Sequence, residues 1–164
     1  LGFDPREIKG SGDIIMIDMA RLRKEMEKEG KPGEINWPHS IIKTVNNYKT
    51  KFDCNLFALD SLAALYSIST FANPRNDVFM FFDKLRDLKI TTLLVSEMFE
   101  PEKLSFGMYS VEEFLADGIF HLEMERDKRN VNLFLSVVKM RKTMHDRAYY
   151  PLIVSKGAFE IVTN

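Results

Sequence analysis

The sequence predicts an α/β fold: a mostly parallel sheet flanked by helices, with an antiparallel strand extension at the C-terminus. Three observations carry this expectation. Short apolar runs of strand length recur at residues 14–19, 54–59 and 91–95. The stretches between them place apolar residues at helical spacing, the alternation that builds a parallel sheet covered on both faces. From Asp117 onward, strand-like runs follow one another across short turns, which is the pattern of antiparallel pairing.

Each element follows from local chemistry. The run 14–19 comes after Gly10-Ser11-Gly12 and reads as a buried strand. Residues 21–34 carry five basic and four acidic side chains with almost nothing apolar, which suits a solvated helix or excursion ending at Lys31-Pro32-Gly33. Ile41, Ile42, Val45, Tyr48 and Phe52 then recur at helical spacing, with Pro38 in the first turn. The strand at 54–59 contains Cys54, read as a buried thiol, and ends at Asp60-Ser61, where a helix through Leu62 and Leu65 begins.

Asn73-Pro74 opens the next helix, whose core face is Val78, Phe81, Phe82, Leu85 and Leu88, with Phe79 also read as core. The strand at 91–95 ends at Ser96-Glu97. Residues 100–110, with Pro101 and Gly107, read as a loop, and 111–115 as a short helix whose Glu112-Glu113 pair is solvated. Strands are expected at 118–124, 132–140, 149–155 and 158–162, with Lys156-Gly157 as a hairpin turn.

Composition narrows the function classes. A chain of 164 residues, 45% hydrophobic and 29% charged, suits one globular domain over 1–164. With 23 basic and 24 acidic side chains the net charge is -1, which argues against strong polyanion binding. No apolar run reaches the length of a membrane span, so no membrane partner is expected. The single Cys54 excludes an intramolecular disulfide and a multi-cysteine zinc site, and suits a cytoplasmic protein.

In open parallel sheets ligands bind beyond the carboxyl ends of the strands. Two runs end there in polar pairs, Asp60-Ser61 and Ser96-Glu97. An Asp after four apolar strand residues is the Walker B pattern, in which the carboxylate helps hold Mg²⁺ through its water shell. The competing reading is that Asp60 or Ser61 caps the following helix. Ser96 and Glu97 similarly either sense a phosphate or end their strand.

Residues 126–147 hold seven Lys or Arg against two acidic residues. Such a stretch is ordinarily a solvated hairpin. Within it, strand alternation sends Lys139 and Arg141 to one face, and two cations followed by Thr143 and His145 form a candidate phosphate grip. His39, His121 and His145 lack partners at metal-ligand spacing, and His121 reads as a hydrogen-bonded structural residue.

Taken in order, these segments carry a resemblance. A strand ends Leu-Asp-Ser, the next ends Val-Ser-Glu-Met, and Val111-Glu112-Glu113-Phe114-Leu115-Ala116-Asp117-Gly118 follows. Then come Val138-Lys139-Met140-Arg141-Lys142-Thr143-Met144-His145, a strand, Lys156-Gly157 and a last strand. This resembles the KaiC-like branch of the RecA superfamily of ATPases across nearly the whole chain, and Leu1-Gly2-Phe3-Asp4 looks like the segment that precedes the family's third core strand.

The resemblance implies ATP and Mg²⁺ as cofactors, with Asp60 as the Walker B carboxylate and metal-associated residue. It implies that Ser61, Ser96 and Glu97 sit near the nucleotide. Lys139, Met140 and Arg141, with Thr143 and His145, would reach a neighbouring subunit's nucleotide in a homo-oligomeric ring, usually a hexamer. Signalling or regulation is the implied role, with further protein partners.

Two departures stand out. Lys142 occupies a position where the family usually has Gly. The P-loop string G-x-x-x-x-G-K-[ST] does not occur in these 164 residues, and Lys9-Gly10-Ser11-Gly12 lacks its order. The expectation is therefore the C-terminal part of a RecA-like domain, truncated at its N-terminus, poorly stable and inactive in ATP hydrolysis by itself. Two other functions compete. One is a non-catalytic interaction protein that retains the fold. The other is a DNA-associated RecA paralogue, which the charge balance does not favour.

Overall fold

The computed structural model describes residues 14–28, 35–98, 105–155 and 157–163. The chain divides into two compact units, Met26–Ala116 and a second made of Leu1–Glu25 with Asp117–Asn164. The helices and strands are α1 Met19–Lys28, α2 Trp37–Phe52, β1 Leu56–Leu59, α3 Leu62–Ile68, α4 Pro74–Asp87, β2 Thr91–Leu94 and α5 Glu112–Leu115, then β3 Gly118–Asp127, β4 Asn130–Met140, β5 Tyr150–Ser155 and β6 Ala158–Ile161. The fold class is α/β, as expected.

In the Met26–Ala116 unit the helices start where their caps dictate. The Asn36 side chain accepts the His39 N–H at 3.0 Å, Pro38 lies in the first turn, and α2 buries Trp37, Ile41 and Val45. At α4 the Asn73 side chain accepts from the Asn76 N–H at 3.3 Å while the Asp77 carboxylate accepts the Asn73 N–H at 3.1 Å, a reciprocal cap. Its core face is the expected one, with Val78, Phe81, Phe82 and Leu85 buried and Leu88 buried just beyond the helix. Each such side chain stabilises the unit by roughly 1.5–3 kcal/mol. Phe79 departs from expectation: it is half exposed, because it lies on the helix face away from Val78 and Phe82.

Strands β1 and β2 pair in parallel, from Leu56 with Thr91 to Leu59 with Leu94. Leu59 is buried, while Leu56, Leu93 and Val95 on the opposite face are each about half exposed. Cys54 lies just before β1 and is half-buried rather than buried in it. The expected strand at 14–19 does not form. Residues 14–18 have no regular structure, Ile14 to Ile17 are exposed, and the Asp18 carboxylate accepts the Arg21 N–H at 3.0 Å to start α1. An apolar run becomes a strand only where a ladder receives it, and here the N-capping Asp18 captures its end for a helix. The segments at Leu1-Gly2-Phe3-Asp4, Lys9-Gly10-Ser11-Gly12, Lys31-Pro32-Gly33 and Pro101 lie outside the described residues.

The other unit is built on a four-stranded antiparallel sheet in the order β3-β4-β5-β6. Among the described residues no ladder joins this sheet to β1 and β2, so the antiparallel part is a sheet of its own. The β3–β4 register pairs Phe120 with Val137, Leu122 with Leu135 and Met124 with Leu133, which places an apolar stripe on one face. That stripe is exposed along β3, with Met124 at 73%. On the opposite face, the Ser136 hydroxyl is buried and donates to the Arg147 carbonyl at 3.1 Å. The His121 Nδ1 lies 2.9 Å from the Tyr149 hydroxyl, so this histidine is structural, as expected. Among the described residues no helix is long and apolar enough to cross a membrane.

Candidate functional site

The strand ends of the Met26–Ala116 unit are tied together by the backbone. The Val95 N–H donates to the Leu59 carbonyl at 3.0 Å, and the Leu62 N–H donates to the Val95 carbonyl at 2.8 Å. These bonds bracket Asp60 and Ser61 against the end of β2. Of the two competing readings of this pair, the capping role falls to Ser61. Ser61 is the cap of α3, its hydroxyl accepting the Ala64 N–H at 3.2 Å, and it is buried. Asp60 is exposed, and its carboxylate is not consumed by capping. The peptide bond between the two is cis. Glu97 is also exposed, one residue past Ser96, whose hydroxyl donates to the Phe106 carbonyl at 2.9 Å.

That carbonyl belongs to a loop held by a residue the sequence reading misplaced. Glu112 is not solvated; it is 4% exposed. Its Oε1 accepts the Tyr66 hydroxyl at 3.0 Å and the Tyr109 N–H at 3.2 Å, and its Oε2 accepts the Val111 N–H at 3.0 Å. Tyr66, Phe71 and Tyr109 form an aromatic trio around it, with centroids 4.9–6.1 Å apart. The Tyr66 hydroxyl is held well above its ordinary pKa by burial first, then by the Glu112 charge and the hydrogen bond to it. Tyr66 lies on the apolar face with Leu62 and Leu65, a spacing that reveals burial but not a carboxylate partner.

In the other unit, β4 ends at Met140 and Arg141 lies in the turn beyond it, so strand alternation does not extend to Arg141. Lys139 pairs with Ile119 beside a register shift between Ile119 and Phe120. The Arg141 N–H donates to the Asp117 carbonyl at 2.8 Å, and its guanidinium meets the Asp117 carboxylate at 3.0 Å. Lys142 then adopts φ 59°, the left-handed conformation that favours glycine. Thr143 is exposed, and its carbonyl lies 3.2 Å from the His145 Nδ1. Asp117 went unassigned in the sequence; the only signal was its place before Gly118.

The predicted residues therefore form two groups, one in each unit. Asp60, Ser61, Ser96 and Glu97 gather at the β1 and β2 ends, and Lys139, Met140, Arg141, Thr143 and His145 follow one another at the end of β4. Among the described residues there is no group of three or more His, Cys, Asp or Glu able to hold a metal by themselves. A lone exposed carboxylate nonetheless fits Mg²⁺, which keeps most of its waters and takes one or two carboxylates together with phosphate oxygens. An apolar cleft lined by Trp37, Ile42, Phe71 and Met80 lies elsewhere in the same unit, and its Asn36 and Asp77 side chains are used as helix caps.

Comparison with known proteins gives one answer at three levels. The family described as "ATPase: KaiC" matches the chain over residues 1–164. The circadian clock protein KaiC3 of Synechocystis sp. is 28% identical over 125 residues, covering 75% of this chain and 25% of that protein. The circadian clock oscillator protein KaiC of Rippkaea orientalis is 26% identical over 98% of this chain and 30% of its own length. The chain thus spans under a third of the curated relatives it matches. A KaiC-like protein from the hyperthermophilic archaeon Pyrococcus horikoshii OT3 shares the fold, with a TM-score of 0.68 at 20% identity over 88% of this chain and 71% of that one.

Proposed function

The chain belongs to the KaiC family of ATPases, and from that membership we propose that it supplies two sides of an ATP site shared between subunits. The observation that carries this reading is the exposed Asp60 carboxylate at the end of β1, left available because Ser61 provides the helix cap. Asp60 orders the water shell of Mg²⁺, and Glu97 and Ser96 flank the phosphates from the adjacent strand end. Lys139 and Arg141 act on the neighbouring subunit's nucleotide, offsetting charge that develops in phosphoryl transfer, with Met140, Thr143 and His145 shaping that contact. The assembly is a homo-oligomeric ring, hexameric by the family resemblance, working in a regulatory or signalling role in the cytoplasm.

The phosphate cradle is a separate requirement. Its P-loop string is not among these 164 residues, so this stretch by itself turns over no ATP. The reading is tested on the full gene product. Asp60→Asn lowers Mg²⁺-dependent ATP turnover by about 100-fold, the scale of removing a preorganised charge from a phosphoryl-transfer site. Unchanged turnover in that variant overturns the assignment.

A further inference from the structure

We infer that Glu112 is the positioning residue of the strand-end site, locking the Ser96 loop and the Asp60 end of β1 into one arrangement. The inference rests on the proposed ATP site, and its structural side stands on a continuous set of contacts within one unit. Ser96 is held by the Phe106 carbonyl at 2.9 Å. The next residue, Gly107, lies so close to Glu112 that an added Cβ would fall 2.3 Å from its carboxyl carbon. Glu112 then takes the Tyr109 and Val111 N–H groups on the same loop and the Tyr66 hydroxyl on α3. The first turn of α3 is fixed by Ser61, the residue joined to Asp60.

The chemistry of the carboxylate suits this task. A buried ionised oxygen pair accepts charge-assisted hydrogen bonds that are roughly twice as strong as neutral ones. Three donors from two elements converge on it, so moving either the loop or α3 leaves a buried acceptor unsatisfied, which disfavours any independent movement of the two. Backbone bonds already join the two strand ends, and Glu112 adds the link that ties the 105–111 loop to α3. Glutamine cannot reproduce this: with its oxygen on Tyr66 and Tyr109, its amide nitrogen faces the Val111 N–H, donor against donor.

The test uses Tyr66→Phe, Glu112→Gln and Glu112→Ala in the full gene product, alongside Asp60→Asn. Tyr66→Phe removes one hydroxyl and leaves the loop-side bonds of Glu112 in place. It lowers kcat at saturating Mg-ATP by roughly fivefold, because displaced catalytic groups act mainly in the transition state. The KM for ATP changes by less than about twofold. Glu112→Gln retains more kcat than Glu112→Ala. A fall in thermal stability with kcat per folded molecule unchanged overturns the inference.

Hydrogen exchange separates the two readings. In Tyr66→Phe, exchange at the amides of 61–65 and of 105–111 accelerates together if Glu112 couples them. Acceleration in only one segment overturns the coupling. If Asp60→Asn leaves turnover intact, the ATP-site reading fails while this exchange result still decides the role of Glu112.

Discussion

Arg141 is held by Asp117 twice, through its backbone N–H at 2.8 Å and through its guanidinium at 3.0 Å. The ion pair is open to water, with side-chain exposures of 47% and 70%, so its contribution to stability is about 0.5 kcal/mol or less. Its effect is on direction: a long flexible side chain at a turn is given one orientation. Asp117→Ala is therefore expected to leave thermal stability nearly unchanged while lowering ATP turnover several-fold in the full gene product. Equal losses in both, measured by melting and steady-state kinetics, would count against an orienting role.

The division of site residues between two units makes a prediction about mixed assemblies. Subunits bearing Asp60→Asn and subunits bearing Lys139→Ala with Arg141→Ala are each inactive. Mixed in equal amounts before assembly, they regain about one quarter of the sites, because a head-to-tail ring pairs an intact Asp60 with an intact neighbour that often. Turnover in the mixture no higher than in either parent would sink the trans role of Lys139 and Arg141.

Lys142 at φ 59° sits where an L side chain is strained. That conformation costs a non-glycine residue about 1–2 kcal/mol, partly offset in a glycine variant by ~0.5–1 kcal/mol of added unfolded-state entropy. Lys142→Gly is expected to stabilise by roughly 0.5 kcal/mol and Lys142→Val to destabilise, since a β-branched residue fits this region worst. Urea denaturation of both variants checks the order.

Tyr66 gives the protein an alkaline limit. Its folded pKa lies above the ordinary 10.0, so the folded state keeps a proton that the unfolded chain gives up. Stability from this group is fully present below pH 10 and is lost as pH rises beyond it. Tyr150 is also shifted upward by its bond to Asp146, but that bond is common to the wild type and the Tyr66→Phe variant. The difference in unfolding free energy between these two proteins is expected to stay constant up to about pH 10 and then shrink. A constant difference to pH 11 would contradict this.

Most of the secondary structure was legible because its causes are local. Asn36, Ser61 and Asn73 are short polar residues before apolar-periodic runs, and each caps a helix. The buried stripe Val78, Phe81, Phe82 and Leu85 follows from helical spacing alone. Position 14–19 misled because apolar content says nothing about whether a ladder is available to receive it. Glu112 was illegible for a similar reason: nothing near it in the chain announces that Tyr66, 46 residues earlier, donates to its carboxylate. In the site, Asp60 was readable as a carboxylate at a strand end, but the assignment of the cap to Ser61 required the geometry.

The contact between Gly107 and Glu112 sets a volume limit shared by two positions. A single methyl at 107 would enter the space of the glutamate carboxyl, both of whose oxygens already accept hydrogen bonds. Shortening the chain by one methylene gives no relief, because the present Cγ position, where the carboxyl carbon would then sit, is itself 2.7 Å from the added Cβ. Gly107→Ala is thus damaging and is not rescued by Glu112→Asp, so a carboxylate that reaches its three donors from position 112 requires a residue without a side chain at 107.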